Sequence, residues 1–287
     1  MAKPIGILFV ASEAGPFIKS GSIGDLAGSL PKLVRSMGHD IRVMLPGYSL
    51  INPRRFQIHN LLRMKDIEIP MGSLTERANI KSSYISSENQ KVLVYFLSND
   101  RYFNRDGMYF HPETKKYFID NDERFIFFCR GVLETLKRLQ WRPNIIHCLD
   151  WQSGLIPAYL RSLYKNDPDL RNVKTIFTVC SLASHGTFSK ISYDKSGLPS
   201  GLFPHESAPH DRLSFLKAGL TFADIITTFG TRAEKGIRLA PQDDLMQILE
   251  SRNRDIVSMT NGNFNGSTQE MLAQQFVEIY RGLVKNS

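Results

Sequence analysis

A strand, a glycine-rich loop, a helix and a second strand follow one another between residues 5 and 46, and this order constrains the fold more than any other part of the sequence. The apolar run IGILFVAS predicts a short buried strand, and IRVMLP predicts the second. The loop between them carries one cation and several small residues: Lys19, Ser20, Gly21, Ser22 and Gly24. The pattern predicts a βαβ unit whose loop is suited to holding an anion or a sugar, although the G-x-G-x-x-G spacing of a dinucleotide site is absent.

The rest of the chain alternates mostly between predicted strands and predicted helices. Short alternating runs between Ile67 and Leu97 interrupt this rhythm and predict antiparallel strands or a hairpin inserted in the sheet. Asn121 or Asp122 is placed to cap a long helix with an apolar inner stripe. We therefore expect an α/β fold with a doubly wound, mostly parallel, Rossmann-like sheet that binds ligands at the carboxyl ends of its strands.

Composition and charge narrow the class of protein. With 42% hydrophobic and 22% charged residues, the 287-residue chain is typical of a soluble globular protein. The net charge of +8 is spread over Lys and Arg residues that never form a run longer than two, so we expect a solvated surface and no nucleic-acid partner.

The N-terminal apolar run is too short for a membrane span and lacks the layout of a signal peptide, and we expect no membrane partner. Cys129, Cys148 and Cys180 lie unevenly spaced in apolar segments, which favours reduced thiols and a cytoplasmic location.

Four ordered blocks of the sequence resemble one enzyme family. KSGSIGDLAGSLP resembles the signature K-T-G-G-L-G-D-V-A-G-S-L-P of bacterial glycogen synthases and plant starch synthases, which elongate α-1,4-glucans from ADP-glucose. IIHCLDWQ resembles the block in which H-x-H-D-W-H closes a strand, and KTIFTVCSLASHGTF resembles the block F-T-I-H-N-L-A-Y-Q-G. FLKAGLTFADIITTFGTRAEKGI resembles the block that ends the family's front domain. The resemblance runs from Ile5 to about Asn261 and implies the N-terminal half of a GT-B glycosyltransferase.

The resemblance also gives an expectation for the end of the chain. In the family, the strand ending near N-G-I-D leads into a second domain that holds most of the ADP-glucose site, whereas here DIVSMTNGN is followed by one more amphipathic helix. That helix resembles the family's last helix, which crosses back onto the front domain. We expect a genuine one-domain protein without the donor-binding domain, in which residues 1–266 form the α/β domain and residues 267–287 a helix packed on it. A truncated gene product is the alternative.

The first block supplies three candidate substrate-binding residues. The resemblance places Lys19 near the sugar-nucleotide phosphates, where its ammonium and neighbouring backbone amides offset phosphate charge, and Gly21 belongs to the same loop. The alternative for Lys19 is a solvated loop residue, and Ser22 replaces the family's second glycine, so its Cβ can obstruct the ligand. Asp25 matches the aspartate that faces the acceptor sugar in the family, and an ordinary helix-start residue is the alternative.

The second block supplies His147, Asp150 and Trp151 at the predicted end of a strand. Leu149 takes the place of the family's second histidine, whereas the aspartate and the tryptophan are retained. A carboxylate beside an indole suits a pyranose, because the carboxylate binds hydroxyls and the indole stacks on the ring. The alternative is that Trp151 is buried and Asp150 caps the next helix.

The third block departs from the family at the position of a histidine that lies near the transferred glucose. Cys180 occupies that position, and Ser181 replaces the following asparagine. A thiol is a weak hydrogen-bond donor, and we expect a buried structural cysteine rather than a nucleophile, so we assign no catalytic residue. His185, where the family has glutamine, is a candidate for the same pocket, and an ordinary loop histidine is the alternative.

The activity that the resemblance implies is transfer of glucose from ADP-glucose to the non-reducing end of an α-1,4-glucan. We expect this chain to keep binding of an α-glucan, such as a maltooligosaccharide or glycogen, to bind ADP-glucose less well, and to be inactive alone. The alternatives are one subunit of a split glucosyltransferase, with a separate donor-binding domain protein as partner, and a non-catalytic regulatory glucan-binding module. We expect no cofactor and no metal.

Overall fold

The computed structural model describes residues 3–87, 90–181, 186–202, 212–229, 244–259 and 266–285. The strands are β1 (Gly6–Val10), β2 (Asp40–Pro46), β3 (His59–Asn60), β4 (Ile67–Met71), β5 (Leu74–Ser87), β6 (Gln90–Ser98), β7 (Ile145–Leu149), β8 (Lys174–Val179), β9 (Thr187–Ser189), β10 (Arg212–Ser214), β11 (Ile225–Phe229) and β12 (Ile256–Met259). The helices are α1 (Ser22–Ser36), α2 (Asp100–Phe103), α3 (Asn121–Arg138), α4 (Leu155–Arg161), α5 (Lys190–Ser196), α6 (Phe215–Phe222), α7 (Asp244–Ser251) and α8 (Gly266–Lys285). Within these ranges, no helix is long and apolar enough to cross a membrane.

A ten-stranded sheet forms the centre of the molecule, in the order β12-β11-β8-β7-β1-β2-β6-β5-β3, with β4 paired to β5 beside this path. Neighbouring strands from β12 to β6 are parallel. β5 is antiparallel to β3, β4 and β6. The predicted α/β fold with a mostly parallel sheet is confirmed, and so are the antiparallel strands expected between Ile67 and Leu97.

The first predicted βαβ unit lies in the middle of this sheet. All five residues of β1 are buried, and β1 pairs with β2 on one side and with β7 on the other. α1 follows the glycine-rich loop and buries Leu26, Leu30 and Val34. Since β1, β2, β6 and β7 are adjacent and parallel, the loops after their carboxyl ends meet along one edge of the sheet.

The long helix α3 begins at Asn121, earlier than a cap at Asn121 or Asp122 requires. Its N-cap is Asp120, so the expectation that Asn121 or Asp122 caps the helix is wrong. The Asn121 side chain is used elsewhere: its amide donates to the Tyr109 carbonyl at 3.0 Å, and its Oδ1 accepts from Arg124 at 2.6 Å. The Asp122 carboxylate accepts from the Ser192 hydroxyl at 2.7 Å. These contacts fix the start of α3 to its surroundings in place of a cap.

The last helix, α8, packs against the sheet and against α1. Leu272 and Phe276 are buried, Ile279 is partly buried, and the Tyr280 ring is fully buried. The Tyr280 hydroxyl lies 2.7 Å from Nδ1 of His147 on β7, which joins the helix to the centre of the sheet. The apolar stripe predicted for this helix therefore faces the core. The division into residues 1–266 and 267–287 stays a prediction.

Candidate functional site

A cavity of about 210 Å³ lies at the carboxyl edge of the sheet, beyond the ends of β1 and β7. Its lining comes from the glycine-rich loop, from the segment between α2 and α3, and from the residues that follow β7 and β8. The lining residues are Glu13, Ser20, Gly21, Ser22, Ile23, Tyr109, Tyr117, Asp150, Trp151, Gln152 and Ser181. This is the crevice in which open α/β sheets bind ligands.

Glu13 places one carboxyl group on the cavity wall, three residues after β1. It is 2% exposed, and it accepts hydrogen bonds from the backbone N–H of Ser20 and from the Ser20 hydroxyl at 3.0 Å. Burial raises the pKa of Glu13, the Ser20 hydrogen bonds oppose that shift, and the Asp25 carboxylate adds to it. Through Ser20, the glycine-rich loop is hydrogen-bonded to the buried carboxyl group of Glu13.

Asp150 places a second carboxyl group on the same wall. Its backbone has φ of 58° and ψ of 178°, and its side chain accepts from the Trp151 N–H at 3.0 Å to cap the 3₁₀ turn Trp151–Ser153. Burial, with a smaller contribution from the Glu13 carboxylate, raises the pKa of Asp150 to about 7, against the lowering effect of the Trp151 N–H. Near neutral pH this group can therefore donate as a carboxylic acid or accept as a carboxylate.

The Trp151 indole belongs mainly to the core. It is 4% exposed and packs edge-on against Phe125 and Phe215, with ring centroids 5.1 and 6.0 Å away. Gly186 lies against the indole so closely that an added Cβ would be 2.2 Å from the ring. The geometry therefore matches the alternative in which Trp151 is buried and Asp150 caps a helical turn, while both residues still line the cavity.

Gln152 and two tyrosines complete the polar lining. Gln152 is 4% exposed, and its Oε1 has no hydrogen-bond partner among the described residues. The Tyr109 hydroxyl donates to the Ser12 hydroxyl at 2.7 Å. The Tyr117 ring is 55% exposed at the rim and packs on Phe110 with centroids 4.1 Å apart. The lining residues thus include one with a buried amide oxygen that has no described partner, and the rim carries an exposed aromatic ring.

A buried arginine holds the segment that carries both tyrosines. Arg124 of α3 is fully buried and donates to the carbonyls of Tyr102 and Met108 at 2.7 and 2.8 Å. It lies over the Phe103 and Phe118 rings, 5.6 and 5.1 Å from their centroids. Since these contacts lie on both sides of the segment, Arg124 fixes its course and so positions the tyrosine side of the cavity.

Two predicted residues, Lys19 in the glycine-rich loop and Asp25 in α1, lie outside the cavity lining. Lys19 and Asp25 form an ion pair at 2.7 Å, with side chains 57% and 46% exposed. Gly21 lines the cavity and is the N-cap residue of α1, and Asp25 lies in the first turn of that helix without capping it. The structure therefore brings Gly21 to Asp150 and Trp151, whereas the roles of Lys19 and Asp25 toward a ligand stay predictions.

The histidines and the cysteine of the predicted site are placed differently. His147 is fully buried, with Nδ1 2.7 Å from the Tyr280 hydroxyl and Nε2 2.6 Å from the Thr178 hydroxyl, and burial lowers its pKa to about 3. Its ring therefore lies in the core rather than at the cavity.

Cys180 is partly buried just after β8, beside the cavity-lining Ser181. His185 lies outside the described residues.

The cavity suits hydrogen bonding to hydroxyl groups better than binding of charge. Its described lining residues include two carboxyl groups, an amide and two phenols, and none is a lysine or arginine. No group of three or more His, Cys, Asp or Glu side chains in the described ranges could hold a metal ion. Glu13, Tyr109 and Gln152 were not among the predicted residues, although a polar residue within a few positions of the end of a buried strand, as Glu13 is, was a usable signal.

Comparison with known proteins matches this fold to one family. A family model described as the starch synthase catalytic domain matches residues 6–242. A glycogen synthase of Chlorobium phaeobacteroides is 32% identical over 276 residues, covering 94% of this chain and 56% of that protein. A glycogen synthase of Desulforamulus reducens is 36% identical, covering 89% of this chain and 51% of that protein.

A solved structure, the catalytic domain of starch synthase IV from Arabidopsis thaliana bound to ADP and acarbose, superposes with a TM-score of 0.76 at 23% identity and covers 91% of this chain and 52% of that one. This structure has the GT-B fold, and the present chain shares its α/β architecture. The chain spans about half the length of the curated relatives it matches. The family model matches most of this chain, and relatives are more than 30% identical to it. The chain therefore belongs to the starch synthase catalytic domain family.

Proposed function

We propose that this chain binds the acceptor α-glucan of a glucosyl transfer from ADP-glucose, and that the cavity beyond β1 and β7 is the binding site. The observation that supports the proposal is the lining: the carboxyl groups of Glu13 and Asp150, the Gln152 residue, and no cation among the described lining residues. Carboxyl and amide groups pair with sugar hydroxyls, whereas a diphosphate needs cations such as arginine or lysine. The lining therefore favours a neutral sugar over a nucleotide.

The rim of the cavity adds an apolar surface to these polar groups. Tyr117 and Phe110 are 55% and 42% exposed, and their rings pack together next to the opening. Solvent-exposed aromatic faces with polar groups nearby suit the mixed surface of a pyranose. Family membership makes an α-1,4-glucan the natural candidate, and the starch synthase IV structure was obtained with acarbose bound.

Calorimetric titration of the chain with maltoheptaose and, separately, with ADP-glucose tests this proposal. We expect maltoheptaose to bind at about millimolar affinity, near −4 kcal/mol, and ADP-glucose to bind more weakly. Tyr117→Ala should weaken maltoheptaose about 2–10-fold through the lost aromatic contact. Tyr84→Ala is the matched control, because Tyr84 is 52% exposed and does not line the cavity. Tighter binding of ADP-glucose, or equal effects of the two variants, would contradict the proposal.

Whether the chain also catalyses transfer is a separate question with its own assay. Radiolabelled ADP-glucose and glycogen are incubated with the pure protein, alone and together with a donor-binding domain protein. We expect no sustained labelling by the chain alone, as in a binding module. Labelling that requires the second protein would select the split transferase, and labelling by the pure chain would contradict the binding-only role.

A further inference from the structure

Two carboxyl groups line the cavity beyond β1 and β7 without a cation to offset them. Glu13 and Asp150 are both buried, and both line this cavity of about 210 Å³. No other described lining residue carries a positive charge, and the Lys19 ammonium of the glycine-rich loop pairs with Asp25 at 2.7 Å. Two negative charges in one poorly hydrated cavity repel each other, so the lining favours a state in which one of the two groups holds a proton.

The hydrogen bonds around the two groups decide which of them holds that proton. Glu13 accepts from both the backbone N–H and the hydroxyl of Ser20, and such donors stabilise the charged form of a carboxyl group. Asp150 accepts only from the Trp151 N–H, at 3.0 Å and through Oδ1. The proton therefore belongs on Asp150, where burial, with a smaller contribution from the Glu13 carboxylate, raises the pKa to about 7.

The second carboxyl oxygen of Asp150 is the one that a ligand can reach. Asp150 Oδ2 has no described hydrogen-bond partner but retains accessible surface, unlike the fully buried, unpartnered Oε1 of Gln152. Because Oδ1 already accepts from a backbone N–H, the proton is carried on Oδ2. In this state Asp150 can donate to a sugar oxygen, while the Glu13 carboxylate accepts from a sugar hydroxyl.

The other titratable groups around Asp150 leave it as the group that changes charge near neutral pH. In the described part of the chain, Glu13 and Tyr109 interact electrostatically with Asp150. Burial raises the pKa of Tyr109, so its phenol stays neutral, and Asp25 of α1 acts on Glu13, whose pKa it helps to raise. A histidine titrates in the same pH range, so a variant of His185, which lies outside the described residues, is part of the test.

We propose that a neutral sugar unit enters this cavity together with one proton, which Asp150 holds while Glu13 remains ionised. The sugar displaces water that solvates Asp150 Oδ2 and brings no positive charge, so it favours the protonated form of the carboxyl group. The proton comes from the buffer, and no other atom is exchanged. This inference rests on the function proposed for the cavity, and it adds that the affinity for glucan falls as the pH rises.

Calorimetric titration with maltoheptaose at several pH values tests the proton coupling. Since the apparent affinity follows the protonated fraction of Asp150, it should fall by up to about 10-fold between about pH 6 and pH 8. At about pH 8, titrations in phosphate and in Tris, which differ in ionisation enthalpy, should show uptake of up to about one proton per sugar bound. Asp150→Asn should remove both effects. Asp106→Asn is the matched control, because Asp106 is exposed and does not line the cavity.

A second variant tests the interaction between the two carboxyl groups. Glu13→Gln removes the neighbouring charge and keeps an oxygen that can accept from Ser20. The midpoint of the pH dependence should move to lower pH in this variant, because the Glu13 carboxylate raises the pKa of Asp150. A midpoint that stays in place or moves to higher pH would overturn the proposal.

The remaining outcomes separate this inference from the function on which it rests. If affinity does not change with pH, or rises with it, while Tyr117→Ala still weakens binding more than Tyr84→Ala, the proton coupling is overturned and the glucan site stands. A pH dependence that survives in Asp150→Asn and disappears in His185→Gln assigns the proton to the histidine and also overturns the proposal. Absence of maltoheptaose binding at every pH overturns the glucan site and the proton coupling together.

Discussion

Replacing Asp150 with asparagine should stabilise the protein at alkaline pH and have little effect at acidic pH. The Asp150 carboxyl is 3% exposed, and burial raises its pKa from an ordinary 3.8 to about 7. Between these two values the folded protein holds a proton that the unfolded chain has released. The contribution of this carboxyl to stability is therefore fully present below about pH 4 and is lost as the pH rises through 7.

The magnitude follows from the size of the shift. Roughly 3 pKa units at about 1.4 kcal/mol per unit give ~4 kcal/mol as an upper bound. Asparagine has no charge to desolvate, it retains an oxygen that can accept from the Trp151 N–H, and it has the same shape as the aspartate that already adopts this backbone conformation. The stability advantage of Asp150→Asn should therefore grow by up to ~4 kcal/mol between about pH 4 and pH 8.

Urea unfolding of wild type and Asp150→Asn at several pH values across this range measures the difference directly. Asp106→Asn is the control, because the Asp106 side chain is exposed and its substitution should change the unfolding free energy by no more than about 0.5 kcal/mol at any pH. A difference between Asp150→Asn and wild type that stays constant with pH would refute the reasoning, since it would mean that Asp150 ionises as easily in the folded protein as in the unfolded chain.

Two further substitutions test the docking of α8. Tyr280→Phe removes the hydroxyl that lies 2.7 Å from His147 Nδ1. It should lower the free energy of unfolding in urea by about 1–3 kcal/mol, because a buried ring nitrogen loses its partner. An unchanged unfolding midpoint would contradict this hydrogen bond. Phe276→Ala removes a fully buried ring and should lower the free energy of unfolding by about 3–5 kcal/mol. Met271→Ala, at a 55% exposed position of the same helix, should change it by no more than about 0.5 kcal/mol. Equal effects of the two variants would show that the helix is not packed as described.

The sheet could be predicted from the sequence because its signals are local. Continuous apolar runs such as that of β1 are expected for strands buried on both faces, and the alternating runs between Ile67 and Leu97 are expected for antiparallel strands. The same reasoning placed Gly21 and Asp150 at the carboxyl edge, where both line the cavity.

The rest of the site depends on tertiary packing that sequence spacing does not record. His147 and Asp150 are three residues apart, yet the first contacts α8 inside the core and the second lines the cavity. Lys19 and Asp25 pair with each other across the loop, a contact that no helical periodicity predicts. Tyr109 lines the cavity, and Arg124 positions its segment by donating to the neighbouring Met108 carbonyl. The sequence gives no signal for this role of Arg124 beyond its place in an apolar helix.

A crystal structure of the chain soaked with maltotriose tests the central claim most directly. The account predicts a glucosyl unit in the cavity beyond β1 and β7, with hydroxyls that pair with the carboxyl groups of Glu13 and Asp150. The adjoining unit should lie near the Tyr117 ring at the rim. A cavity that holds only ordered water, while maltotriose binds elsewhere on the surface, would contradict the assignment of this cavity as the glucan site.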